Sequence, residues 1–242
     1  VVDLFLTKGC STYEIRTLSM CGVIGVSLTN VTQADVELVK KVLGETQIRG
    51  MHASGAVYHN GEGMVRVMAG VPISRLSEEL IDWDGVVTSG DMKMIAHARY
   101  STSDMSDHQP LGSKSLFMAH NGVITQAPPE TWKETYGYDF DTRNDSEILL
   151  KKLTSGYTPS DCADGLTGSS IAVVTIDRAG TVSGWRNALR PLWRTDLPNG
   201  FILTSTRDIM IRASGNKHKP QKLEITGNEP ELQLRDSNNI RD

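Results

Sequence analysis

Apolar residues in this chain fall into short runs divided by turn signals, and the period of each run predicts its element. Gly22 to Leu28 is continuously apolar or small and predicts a buried strand. Residues 33–43 carry helical spacing, with Val36, Val39, Lys40 and Leu43 flanking one face and Thr32 placed to cap the start. Residues 54–59 and 64–70 flank Asn60-Gly61-Glu62-Gly63, a hairpin signal. Residues 94–99 and 116–119 predict two further core strands, and residues 145–153 a helix with Ile148, Leu149 and Leu153 apolar. In the second half, residues 171–176 form a β-branched run that Asp177-Arg178-Ala179-Gly180 turns back into residues 181–186. Residues 192–195 and 201–205 follow around Pro198-Asn199-Gly200, and residues 222–226 and 232–234 are expected to close the sheet. Strands arriving in hairpins, with a few helices between them, predict an α+β layered domain with antiparallel sheets.

Composition narrows the setting. The 242 residues are 38% hydrophobic and 22% charged, which is enough apolar material for a real core. A net charge of −4 argues against a broad nucleic-acid surface. No apolar run is long enough to cross a bilayer, so no membrane association is expected. Cys10, Cys21 and Cys162 are too few and too scattered for a disulfide framework or a zinc site, and a reduced cytoplasmic setting follows. No metal and no cofactor are expected.

The chemistry-bearing residues sit at the ends of predicted strands. Cys21 follows Met20 and opens Cys21-Gly22-Val23-Ile24-Gly25. An amino-terminal Cys21 would carry a thiol and, in its α-amine, a base of pKa about 8, so that one residue supplies nucleophile and base. Arg49-Gly50-Met51-His52 leads into a strand; Ala96-His97-Ala98-Arg99-Tyr100-Ser101-Thr102 ends another with an arginine and hydroxyls. Ala119-His120-Asn121-Gly122 ends a third with a side-chain amide and a glycine, and Arg143-Asn144-Asp145-Ser146-Glu147 opens a helix with an acid.

Each residue also has an ordinary reading. A lone cysteine is commonly a small buried hydrophobe and an arginine a surface charge. Asn121-Gly122 is a common hairpin turn. Asp145 stands where it would cap the following helix or favour its N-terminus, and is expected to do so alongside any other role. His97 and His120 read as packing or supporting residues rather than catalysts or metal ligands, Trp185 and Trp193 as core or interface, and Cys10 and Cys162 as incidental.

Taken together and in this order, the segments resemble the glutaminase domain of class II glutamine amidotransferases, most closely in the amidophosphoribosyltransferase branch, through Arg99-Tyr100-Ser101-Thr102 and Gln109-Pro110. The resemblance runs from about residue 21 to 210, through Arg190-Pro191-Leu192. It implies a four-layer αββα N-terminal-nucleophile hydrolase fold with two stacked antiparallel sheets. It implies L-glutamine as substrate, Cys21 as nucleophile, and Asn121 with the Gly122 N–H as oxyanion donors. Arg99 would take the α-carboxylate and Asp145 the α-ammonium, with Tyr100, Ser101 and Thr102 lining the pocket and Arg49, Gly50, His97 and His120 supporting it. The chain departs from the family pattern at Met51-His52, at Ala96 and at Asn144 before the acid, none of which removes a catalytic group.

Family members usually join this domain to a synthase that consumes the ammonia. An acceptor on a separate or missing polypeptide is therefore expected. Residues 1–20 are expected to be a removed or untranslated extension, with 21–242 the amidotransferase domain, because an attached extension turns the Cys21 amine into an amide without useful basicity. Two other readings compete. An N-terminal-nucleophile amidohydrolase for a different amide is opposed by Arg99 and Asp145, which match the charged ends of glutamine. An inactive regulatory or interaction module is opposed by the intact set of groups.

Overall fold

The computed structural model describes residues 21–88, 90–100 and 108–227. In chain order the elements are β1 (Gly22–Leu28), α1 (Gln33–Thr46), a 3-10 turn (Gln47–Arg49), β2 (Ala53–His59), β3 (Met64–Ala69), α2 (Ile73–Glu79), α3 (Trp83–Val86), β4 (Val87–Thr88), β5 (Asp91–Arg99), β6 (Leu111–Gly112) and β7 (Leu116–Val123). A second 3-10 turn (Pro129–Thr131) leads to α4 (Trp132–Tyr136), α5 (Ser146–Thr154), α6 (Pro159–Gly165), β8 (Ser170–Asp177), β9 (Val182–Arg186), β10 (Trp193–Leu197), β11 (Gly200–Thr204), α7 (Arg207–Ala213) and β12 (Gln221–Lys222).

The strands form two antiparallel sheets. The larger runs β12-β10-β11-β1-β5-β2-β3, with β4 beside β5; the smaller runs β6-β7-β8-β9. Strand side chains alternate between faces with period two, and that alternation builds three stacked cores. Ile24, Val26 and Leu28 of β1 join Met92, Met94, Ala96 and Ala98 of β5 beneath α1, α2 and α7. Val23 and Ile95 point the other way and meet Phe117, Ala119, Ala172 and Val174 of the small sheet. Met118, Ile171 and Val173 on its outer face pack on Ile148, Leu149 and Leu150 of α5, with Cys162 and Trp132. The result is helix, sheet, sheet, helix: the expected four-layer αββα arrangement. Fully burying each such aliphatic side chain contributes roughly 1.5–3 kcal/mol.

Local signals explain where elements start and turn. Thr32 caps α1 in a reciprocal box with Asp35. A second box, Thr158 with Asp161, opens α6. Asn60 Oδ1 accepts from the Glu62 and Gly63 amides and closes the β2–β3 hairpin. Three expectations change. The strand expected over 116–119 continues to Val123, so Asn121-Gly122 lies inside β7 and is not a turn; the ladder pairs Asn121 with Ala172 and Gly122 with Ile171. The closing strand expected over 222–226 is limited to Gln221–Lys222 at the sheet edge. Asp145 occupies the N-cap position of α5, yet its side chain makes no capping bond because it is engaged elsewhere. Cys10 and residues 232–234 lie outside the described residues.

Candidate active site

Strand parity brings the candidate residues to one end of the space between the sheets. On β1, Val23 faces the small sheet, and stepping back two residues puts Cys21 on that face. On β5, Ile95 faces the same layer, and His97 and Arg99 share its side. On β7, Phe117 and Ala119 face it, and Asn121 continues the row. Gly22 pairs with Ala98, so the ladder extended by one residue sets Cys21 across from Arg99. Ser205 fixes the start of β1: its Oγ accepts from the Val23 amide at 2.6 Å, and its own amide donates to the Val23 carbonyl.

Two glycines allow this approach. A Cβ at Gly22 would collide with Thr46 Cγ2 and stand 3.1 Å from Arg49 Cβ, and one at Gly50 would overlap the Arg99–Tyr100 peptide. The Arg49-Gly50 turn is thereby pressed against both the start of β1 and the end of β5.

The Cys21 sulfur is half-buried, 3.9 Å from the Tyr100 carbonyl oxygen. Burial pushes its pKa up, because it disfavours the charged thiolate, and the guanidiniums of Arg99 and Arg49 pull it the other way. Arg49 is held below its usual range first by burial and then by the like charge of Arg190, while Cys21 opposes the drop. Its Nε and Nη2 are buried without a hydrogen-bond partner among the described residues. Arg190, in the Arg190-Pro191-Leu192 stretch, also lies within electrostatic reach of the thiol.

Asn121 is 2% exposed, and its Nδ2 has no hydrogen-bond partner among the described residues. An orphaned buried amide donor is uncommon in a folded protein and marks a place where an acceptor is missing. Beside it, Gly122 has φ +153°, and a Cβ there would overlap the Ser170 carbonyl oxygen and stand 2.7 Å from His120 Nε2. No other residue type fits this position without moving β8.

A buried network holds that segment. His120 Nε2 lies 3.1 Å from the Ser170 carbonyl, so Nε2 carries the hydrogen and donates; Nδ1 accepts from Ser146 Oγ at 2.8 Å. Gln109 Oε1 accepts from the His120 amide, and its Nε2 donates to Ser146 Oγ. Burial keeps both His120 and His97 neutral: His120 is pushed down, and His97 falls to about 3, with Arg99 and His120 adding to the drop. The sequence marks Gln109 only beside Pro110; its role as the polar tie between β7 and α5 needs the third dimension.

Asp145 reaches back over the end of β7. Its Oδ2 accepts from the amides of Ile124 at 2.6 Å and Thr125 at 3.2 Å, and Oδ1 makes no bond among the described residues. The turn before it is set by Glu147, a carboxylate 4% exposed that accepts from the Asp141 and Thr142 amides and the Thr142 hydroxyl. Asn144 Oδ1 accepts from the Ser146 amide, the bond a cap would make.

Arg99 Nη1 lies 3.5 Å from His108 Nδ1, and the Tyr100 ring tilts against His52 with centroids 4.8 Å apart. Ser101 and Thr102 lie outside the described residues. The structure thus gathers Cys21, Arg49, Gly50, His97, Arg99, Tyr100 and Asn121 around one end of the inter-sheet layer, with Gly122 next to Asn121 in β7 and with His120 and Asp145 on the α5 side of that strand. Among the described residues, no group of three or more His, Cys, Asp and Glu stands together as metal ligands would, and no helix is long and apolar enough to cross a membrane.

No protein-family model matches the chain. Among curated proteins it is 24% identical over 165 residues to glutamine–fructose-6-phosphate aminotransferase (isomerizing) of Mycolicibacterium smegmatis, covering 64% of this chain and 26% of that one. The protein of the same name from Mycobacterium tuberculosis H37Rv is 26% identical over 162 residues, again 64% of this chain and 25% of its own. Among solved structures, the Bacillus subtilis glutamine phosphoribosylpyrophosphate amidotransferase complexed with ADP and GMP superposes with a TM-score of 0.62 and 21% identity, covering 85% of this chain and 46% of that chain. A structure described as the allosteric regulatory enzyme of purine biosynthesis gives 0.62 and 20%, covering 85% and 45%. The fold is therefore the N-terminal-nucleophile αββα fold of these class II glutamine amidotransferases. The chain spans about a quarter of the length of its curated relatives and under half of its structural neighbours.

Proposed function

We propose that this chain catalyses the glutaminase half-reaction of a class II glutamine amidotransferase, with Cys21 as an amino-terminal nucleophile. The observation that carries the reading is that strand parity turns the Cys21 thiol and the Asn121 amide, whose buried Nδ2 has no hydrogen-bond partner among the described residues, into the same inter-sheet layer. A thiol supplies attack; an orphaned donor beside a glycine N–H supplies the complement for the oxygen that becomes negative.

Cys21 Sγ attacks the side-chain carbonyl carbon of L-glutamine as its proton passes to the Cys21 α-amine. The carbonyl oxygen takes the negative charge and is held by Asn121 Nδ2 and the Gly122 N–H; one such donor typically contributes ~3 kcal/mol in the transition state. The amine returns the proton to the leaving nitrogen, ammonia departs and a γ-glutamyl thioester remains. Water attacks the thioester, glutamate leaves and the thiol is restored. Arg99 binds the α-carboxylate with its planar fork. Asp145 binds the α-ammonium through Oδ1, its other oxygen being held by the Ile124 and Thr125 amides. Tyr100 lines the pocket, and Arg49, Gly50, His97 and His120 support it.

The ammonia goes to an acceptor synthase, a partner domain or subunit, in the cytoplasm. Residues 1–20 must be absent from the active form, since an amide at Cys21 cannot take the proton. The test compares glutamate release from protein whose first residue is Cys21, the same protein carrying Cys21→Ser, and the full chain. Activity in the first alone supports the proposal; equal activity with residues 1–20 attached refutes the amine's role, and no activity in any form refutes the function.

A further inference from the structure

Gln109 stands where β6 would otherwise have continued along β7. The ladder pairs Gly112 with Phe117 and Leu111 with Met118, and the same register carried further sets Gln109 opposite His120. The main chain leaves the sheet there. A Cβ on Gly55 of β2 would collide with the Gln109 carbonyl oxygen, so the segment crosses to the large sheet at a glycine. The side chain takes the place that the main chain gives up: Oε1 accepts from the His120 amide at 2.6 Å. Nε2 donates to Ser146 Oγ at 3.1 Å, and that hydroxyl donates to His120 Nδ1 at 2.8 Å. These bonds close a ring in which Gln109 is 5%, Ser146 2% and His120 1% exposed. Turned over, the Gln109 amide would set Nε2 against the His120 N–H, donor to donor, so a single orientation is satisfied.

The ring meets both ends of the candidate site. Along a strand, successive main-chain N–H groups point to opposite edges. The Ile171 amide and carbonyl, opposite Gly122 in the ladder, are both bonded to Asn187. The Gly122 N–H therefore turns away from β8, to the edge on which the His120 N–H stands and is held by Gln109. At the other end, Ser146 is the first residue of α5 and directly follows Asp145.

We propose that Gln109 is a positioning residue of the glutaminase reaction, its carboxamide fixing the distance between the oxyanion donors, Asn121 and the Gly122 N–H, and the Asp145 carboxylate. This rests on the function proposed above. One glutamine must meet both places at once, its side-chain carbonyl oxygen at the donors and its α-ammonium at the carboxylate. β7 and α5 belong to different layers, and the carboxamide joins them at the residues adjoining each place. Gln109 acts through His120 and Ser146, not by contact with the reacting atoms.

The test places Gln109→Met, similar in length but without hydrogen bonds, in protein whose first residue is Cys21. It follows steady-state glutamate release below the melting temperature, Tm by circular dichroism, and the rate of Cys21 alkylation by iodoacetamide. The variant is expected to lower kcat of folded protein about 10- to 100-fold, because misplacing a transition-state donor by about 1 Å is costly. Alkylation, which uses neither the donors nor Asp145, is expected to stay within about twofold of the parent. An unchanged kcat in folded variant, whatever the loss of Tm, reduces Gln109 to a structural tie and overturns the proposal. So does alkylation slowed as much as kcat, since the effect would then lie at the sulfur. If the Met variant does not fold, Ser146→Ala, which removes the hydroxyl at the α5 end of the ring, decides the matter: kcat lowered with alkylation unchanged supports the proposal, and an unchanged kcat overturns it. A parent that releases no glutamate refutes the proposed function and this inference with it; an active parent with an indifferent variant sinks this inference alone.

Discussion

Gly122→Ala should be among the most damaging single-methyl changes available to this chain. The added Cβ would overlap the Ser170 carbonyl oxygen, lie 2.6 Å from its carbon and 2.7 Å from His120 Nε2. Ordinary carbon contacts need about 3.5 Å, so β7 and β8 would have to part by well over 1 Å at this point. That movement strains or breaks the His120–Ser170 bond, and stranding a buried polar pair costs roughly 1–3 kcal/mol. The backbone adds a cost of similar size, on the order of 1–3 kcal/mol, because an L-residue is held at φ +153°. A loss of about 2–6 kcal/mol follows, which for a chain of this length lowers Tm by roughly 4–24 °C. The same displacement drags the Gly122 N–H and Asn121 out of line, so glutaminase activity should be lost well below the melting temperature. Thermal unfolding followed by circular dichroism, with glutamate release at 25 °C, reads both effects. A variant melting within about 1 °C of the parent with full activity would show that this strand does not sit as described.

Asn121→Ala should lower kcat about 100- to 1000-fold with little change in KM and little loss of Tm, because its Nδ2 has no hydrogen-bond partner among the described residues; steady-state kinetics and melting separate the two. Asp145→Asn keeps an oxygen for the Ile124 and Thr125 amides and removes the charge offered to the α-ammonium, so KM for glutamine should rise tenfold or more while Tm changes by only a few degrees; an unchanged KM would remove Asp145 from the binding site. His97 has a folded pKa of about 3 against 6.5 for the free ring, so between those values the unfolded chain binds more protons. Stability is then full above pH 6.5 and falls as pH drops toward 3, by up to about 1.4 kcal/mol per unit from this residue. His97→Gln should flatten that acid limb between pH 6.5 and 4.5 in urea titrations, though His120, shifted in the same direction, keeps part of it.

Much of the frame was legible because it rests on local pattern. Val23, Ile24 and Val26 read as a buried strand and are one; Thr32 reads as a cap and closes a box. Helices α2, α3, α4, α6 and α7 were missed because each has seven residues or fewer, too short for a helical period to repeat. Asn121-Gly122 misleads a local reading for a specific reason. The pair has turn chemistry, but β7 runs straight through it, and Gly122 is there for the approach of Ser170, 48 positions along the chain. Gln109 and Ser146 stand in segments that carry the resemblance, but nothing local shows what they bond; hydroxyls and amides become a network only when β7, β8 and α5 meet. Arg190 likewise stands in a stretch that carries the resemblance, while its ties to Arg186 and Ser170 show only in the fold.

The covalent step can be observed directly. Protein beginning at Cys21 is mixed with glutamine, quenched in acid within one turnover and digested. Mass spectrometry should then find a γ-glutamyl adduct on the Cys21 sulfur that appears before glutamate accumulates and that hydroxylamine removes. Glutamate formed at full rate with Cys21 unmodified at every time point would contradict the account.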